Sequence, residues 1–194
     1  IKGKSNAIMG RETNNLTITN SGTISASTSK AINLRDAQNT TITNKKGATI
    51  AANTNAIVQE AAGTENAENV TISNSGTISS VENRSIYCYE DATNTTLTNN
   101  SSGLIYNTAD DPTVQLGTSS TLTNSGTIEN RNSPSNSSIT VVGNNNTITL
   151  KDGGKVVGTI VTGSTTGKTL KKQHGVGQTY IYETTGNAIT LQDL

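Results

Sequence analysis

The stretch Thr17-Ile-Thr-Asn-Ser-Gly-Thr-Ile24 decides the fold. Its second part, Asn-Ser-Gly-Thr-Ile, stands at Asn20–Ile24 and returns at Asn74–Ile78 and Asn124–Ile128. Looser copies fall between them at Asn44–Ile50 and Asn100–Ile105, and a more distant one at Asp152–Val157. The turn glycines Gly22, Gly47, Gly76, Gly103, Gly126 and Gly154 lie 23–29 residues apart. A repeat of that length marks a stack of similar units, each too small to bury a core alone.

Each unit carries three strand signals. The first is an alternating apolar run: Ala7-Ile8, Ala31–Leu34, Ala56–Val58, Ser85–Cys88, Val114–Leu116 and Ile139–Val141. The second is a Thr-aliphatic-Thr triplet (Ser in one third position), at Thr17–Thr19, Thr41–Thr43, Thr71–Ser73, Thr96–Thr98, Thr121–Thr123 and Thr147–Thr149. The third follows the turn glycine: Thr23-Ile24, Thr49-Ile50, Thr77-Ile78, Leu104-Ile105, Thr127-Ile128 and Val156-Val157. Period-two alternation puts each central Ile or Leu on one face and its Thr neighbours on the other. Helix is a poor alternative, because Gly and Asn interrupt every run. Three short strands in about 25 residues describe one coil of a parallel β-helix, with coils about 4.8 Å apart. Six to eight coils predict a rod roughly 30–40 Å long. Asn20, Asn44, Asn74, Asn99 and Asn124 are expected to stack, because Asn tolerates left-handed turns and hydrogen-bonds to its own copy.

The coils span residues 1–162, and 163–194 reads as continuing or C-terminal coils of the same solenoid. Strand-like pieces remain there at Thr179–Tyr182 and Asn187–Leu191. Gln59–Asn69, Asn107–Pro112 and Glu129–Ser138 are read as protruding loops.

Composition fits a narrow aliphatic core. Only 30% of the 194 residues are hydrophobic, with no Phe or Trp and five Tyr. Disorder usually brings high net charge and many prolines. Here 14 basic and 14 acidic residues cancel, and there are two prolines. Zero net charge without a basic patch argues against nucleic acid. No apolar run is long enough to span a bilayer, so no membrane insertion is expected of this stretch. The abrupt start at Ile1 reads as a processed or cut-down fragment.

The Thr-Ile-Thr or Thr-Leu-Thr triplet followed by Asn-Ser-Gly-Thr-Ile resembles the passenger domains of Gram-negative autotransporters (type V secretion). The resemblance covers residues 7–160, and Val157–Gly163 resembles the way such passengers run toward their C-terminal end. It implies a right-handed parallel β-helix, exported through an outer-membrane barrel and displayed or released at the cell surface. Many members are adhesins, some self-associate, and others are toxins or carry a protease domain. The leading expectation is a non-catalytic, extracellular adhesive fragment. Its partner would be a host surface or matrix protein, a glycan, or another copy of itself. The alternatives are a stalk or docking segment of a toxin-type passenger, and a carbohydrate-active β-helix enzyme.

An enzyme needs its chemistry. Glycoside hydrolysis takes two carboxylates facing each other across a groove. The adjacent pairs Glu90-Asp91 and Asp110-Asp111 fall in predicted loops, where solvation explains them. An inter-coil dyad from Asp36, Glu60 and Glu90 is the other arrangement open to the chain. His174, the single histidine, sits in a polar glycine-flanked turn, and no Gly-x-Ser-x-Gly frames a nucleophile. One His and one Cys do not make a zinc site, so no cofactor is expected. Gly163–Thr169 has three residues between its glycines, one fewer than a phosphate loop, and reads as a turn. Cys88 alternates with Ile86, so it should point inward as a small core residue.

Binding residues are better marked. Tyr87 and Tyr89 flank Cys88 and should point outward. Tyr106 follows the inward Ile105 in the same coil and should also face solvent. Outward tyrosines suit protein or glycan contact. The plain alternative is that they lie against the Asn107–Pro112 loop and shield it. The outward threonines should form a two-column ladder, explained by Thr being a soluble β-former. Ice binding and self-association are the two functions such a face suggests.

Overall fold

The computed structural model describes residues 1–61, 67–163 and 166–172, and the backbone of two further strands, Ile181–Thr184 and Thr190–Asp193. The chain winds into a β-solenoid of three parallel sheets. The first sheet holds the strands after the turn: Lys2–Gly3, Thr23–Ala26, Thr49–Ala52, Thr77–Ser80, Leu104–Asn107, Thr127–Asn130 and Lys155–Val157. The second holds Ile8–Arg11, Ile32–Arg35, Ile57–Glu60, Ile86–Cys88, Val114–Leu116, Ser137–Val141, Thr159–Thr162 and Ile181–Thr184. The third holds the Thr triplets: Thr17–Asn20, Thr41–Asn44, Thr71–Asn74, Thr96–Asn99, Thr121–Asn124, Thr147–Leu150, Thr169–Lys172 and Thr190–Asp193.

Register turns the sequence repeat into a core. In the third sheet Ile18, Ile42, Ile72, Leu97, Leu122, Ile148 and Leu170 pair coil to coil without a slip. Ile50, Ile78, Ile105 and Ile128 stack likewise in the first sheet, and Ile32, Ile57, Ile86 and Val114 in the second. All of these are buried in one continuous cluster. Among the described residues the one register shift lies between Ser137 and Ile139.

The asparagine column forms as expected. Asn20 Nδ2 donates to Asn44 Oδ1 at 2.9 Å, Asn44 to Asn74 at 2.8 Å, Asn74 to Asn99 at 2.9 Å and Asn99 to Asn124 at 2.8 Å. Each amide also reaches carbonyls of the bend; Asn44 Nδ2 donates to Thr77 O at 3.1 Å. The reason is not a left-handed backbone, which the ladder asparagines do not adopt. Left-handed backbone belongs to a different corner, ahead of the third sheet, at Asn15, Asn39, Asn69, Asn94, Ser119 and Asn145. The ladder asparagines end their strands in extended backbone.

The turn glycines have a second reason to be glycine. At Gly47 φ is +78°, which favours Gly. At Gly76 and Gly126 φ is ordinary, but a Cβ would strike carbonyl oxygens of the coil beneath, Ala48 O and Gly103 O. Coils stack too closely there for any side chain.

The loops are shorter than expected. Gln59 and Glu60 finish a strand, Asn107 finishes another, and Glu129, Asn130, Ser137 and Ser138 all lie in strands. Period-two pairing with the neighbouring coil extends each strand past the apolar residues that announce it.

Candidate binding surface

The outer face of the second sheet breaks the repeat, and two of the expected tyrosines stand on it. Tyr87 on the outer face of the strand and Tyr89 just past its end stack, ring centroids 4.5 Å apart with 21° between planes, and Tyr89 also packs, partly buried, against the core. The Arg84 guanidinium lies 4.6 Å from the Tyr87 centroid. Tyr87 therefore has a cation on its ring and a ring beside it, worth about 1–2 kcal/mol in such partly desolvated stacks. Arg84 also pairs with Asp111 at 2.9 Å and donates to Asn83 Oδ1 at 3.0 Å.

On the other side of the pair, Tyr89 follows Cys88, which registers with Gln59, so Tyr89 falls beside Glu60. Glu60 accepts from Lys30 Nζ at 3.1 Å. Burial first, then Tyr87 and Glu60, push the Tyr89 phenol above its ordinary value, while Arg84 pulls it down. The result is one network across four coils: Lys30, Glu60, Tyr89, Tyr87, Arg84 and Asp111. Its charges cancel. Beneath it, the outward-facing Val58 is fully buried and Gln115 donates to Cys88 O at 3.1 Å.

Tyr106 does not join this group. It stands on the first sheet between Ser79 and Glu129. The Arg131 guanidinium covers its ring at 3.6 Å, held in place by Glu129. The corner carrying Arg84 and Asp111 separates it from Tyr87. The segment after Asn107 is tied down separately. Asn107 Nδ2 donates to Asp111 O at 2.6 Å, and Thr113 Oγ1 donates to Asn107 Oδ1 at 2.6 Å.

Cys88 points inward and is buried, as its alternation requires. Burial pushes its thiol up to about 11 against nearby hydrogen bonds that lower it. Its neighbour Gln59, expected at the start of a loop, is an inward polar residue in the core. Gln59 Nε2 donates to Ala67 O at 2.9 Å, and its Oε1 accepts from the Thr95 hydroxyl. That hydroxyl lies 3.6 Å from Cys88 Sγ. Nothing in the local sequence distinguishes this Gln from a surface one.

Glu60 is paired with Lys30, and Asp36 lies 3.8 Å from Arg35. Glu90 and Asp91 are exposed at a turn. Asp111 faces Arg84, while Asp110 accepts from Asn132 and Asn136. Among the described residues no three His, Cys, Asp or Glu side chains are grouped to hold a metal ion. His174 lies outside the described residues. In the Gly163–Thr169 stretch, Lys168 is buried, its Nζ donates to Gly163 O at 2.6 Å, and burial lowers its pKa.

The third sheet presents the opposite surface. Thr17, Thr41, Thr71, Thr96 and Thr121 are exposed in one column. Among the described residues none of their hydroxyls bonds to the protein. A comparison with known proteins finds no matching family, no matching characterised protein and no matching solved structure.

Proposed function

We propose that this chain is an adhesive passenger segment of the autotransporter type, displayed outside a bacterial cell and acting by contact, without a catalytic step. The observation that carries this reading is the Lys30–Glu60–Tyr89–Tyr87–Arg84–Asp111 network. In a repeat protein the fold is specified by what recurs, and a ligand by what does not. This cluster occurs once. It groups aromatic edges with donors and acceptors of both signs on a rigid sheet, as protein and glycan contacts require. The partner is a host surface or matrix protein or a glycan.

The unbonded Thr columns favour a second mode, contact between copies through the third sheet. Sedimentation across concentration separates the two, scored beside clumping of beads that display the protein. A monomer that captures a glycan or matrix protein, and loses it in Tyr89→Ala, supports the host-ligand mode. Dimers that weaken in Thr71→Lys support the self-association mode. A monomer that binds nothing in such screens removes the adhesive reading.

A further inference from the structure

The corner between the second and third sheets carries a second asparagine column, unlike the buried one. Asn15, Asn39, Asn69, Asn94 and Asn145 are all exposed and all have φ between 51° and 61°. Each is followed two positions later by the first Thr of a third-sheet strand: Thr17, Thr41, Thr71, Thr96 and Thr147. These five are the only Asn-x-Thr sequences in the chain. Asn-x-Ser/Thr is the acceptor sequence of N-linked sugar transfer.

The side chains separate these five from every other acceptor sequence. Asn39 Nδ2 donates once, to Asn14 at 2.9 Å; Asn69 once, to Asn39 at 3.1 Å; Asn94 once, to Asn69 at 3.3 Å. An amide nitrogen has two hydrogens, so each keeps one toward solvent. The four Asn-x-Ser sequences start at Asn83, Asn99, Asn100 and Asn136. Asn99 is fully buried and Nδ2 reaches Asn124 Oδ1, Thr127 O and Gly103 O. Asn100 Nδ2 donates to both Ser73 and Ser75. For Asn83 and Asn136 the required hydroxyl, of Ser85 or Ser138, is buried and donates to a carbonyl.

The fold alone does not demand Asn at a left-handed position. Glu12, Asp36 and Ser119 fill others.

We propose that this corner is an N-glycosylation column, with Asn15, Asn39, Asn69, Asn94 and Asn145 as acceptors for a small sugar. The donor is a hexose activated as its nucleoside diphosphate. The amide nitrogen forms a bond to the anomeric carbon while the bond from that carbon to the diphosphate oxygen breaks. The nucleoside diphosphate leaves, one amide proton passes to the transferase, and nothing is oxidised. The product amide keeps one N–H and its carbonyl, so the ladder bonds between coils survive. Acceptors on adjacent coils stand about 4.8 Å apart, which limits the column to single sugars or to alternate coils.

The test is site-resolved mass spectrometry of the protein from its native source, against the same chain made in a host lacking such a transferase. The expected result is a mass excess in whole hexose units, mapped to some of these five asparagines, with Asn83, Asn99, Asn100 and Asn136 bare. An unmodified native chain, sugar only on Ser or Thr oxygens, or sugar on Asn99 overturns the proposal. In the native source, Thr71→Val should abolish occupancy at Asn69 and Thr71→Ser should retain it, with equal melting temperatures. Occupancy that persists in Thr71→Val overturns it as well.

Discussion

The second and third sheets are built from the same coils, yet their outer faces follow different rules. The third repeats Thr in one exposed column from Thr17 to Thr121, and none of those five hydroxyls bonds to the protein among the described residues. The second carries Asn33, Val58, Tyr87, Gln115 and Thr140 in one column, five residue types in five coils. Inside, the middle coils are alike in all three sheets: Ile50, Ile57 and Ile72 and their counterparts up to Ile128, Ile139 and Ile148 are buried aliphatic residues. The interior sets the repeat and tolerates little variety. The exterior is free to vary, so variation there reports selection for something besides folding.

Substituting beneath each face tests whether the interiors are equivalent. Ile86→Ala under the second sheet and Leu97→Ala under the third should each cost about 2–5 kcal/mol in urea unfolding. A large loss under only one sheet would break the comparison.

The next effect is pH-dependent and belongs to the second sheet alone. Cys88 titrates near 9.0 when unfolded and about 11 when folded. Between those values the unfolded chain has released its proton and the native one has not, so stability falls as pH rises. The loss should approach about 2–3 kcal/mol. Below pH 9 it is absent. Urea midpoints at pH 8 and pH 10.5 should diverge more in the native sequence than in Cys88→Ala.

Outside, the faces should differ. Tyr87→Ala removes the ring between Arg84 and Tyr89 and should cost about 1–2 kcal/mol. Thr96→Ala, outward on the same coil, should change stability by less than about 0.5 kcal/mol. Equal costs would mean that the network adds nothing to folding. Smallest is Lys30→Met, which removes a partly exposed ion pair and should cost about 0–1 kcal/mol. Added salt should shrink that difference further.

Much of the fold was legible because it rests on recurrence. The triplet Thr17-Ile-Thr19 and its copies place strand, face and register at once, and the buried asparagine column follows from its spacing. What escaped depends on neighbours one coil away. Gly126 is glycine because of Gly103 O beneath it, which no local pattern encodes. Gln59 reads as loop but is drawn into the core by Ala67 and Thr95. For the candidate surface, alternation places Tyr87 and Tyr106 on the outer faces of their strands, while Tyr89 lies past the end of its strand and is partly buried against the core. It could not say that Arg84 and Arg131 would cover two of those rings, nor that Tyr106 lies around a corner. Left-handed backbone, expected at the ladder asparagines, belongs to the other column, because both columns are Asn and only the backbone tells them apart.

The buried ladder also has an end. The position above Asn124 is Leu150, and Asn124 donates instead to the carbonyl of Lys155. Up to that point one continuous column of side-chain amides cross-links each coil to the next; beyond it the column stops, and the side-chain bonds between coils are scattered ones, such as Ser138 to Val157 O and Thr166 to Asn144. A solenoid's cohesion is a chain of nearest-neighbour couplings, so this is a seam between a strongly coupled block and a weakly coupled one. Amide hydrogen exchange should resolve two cooperative units that meet between Asn124 and Leu150, with the later coils opening first.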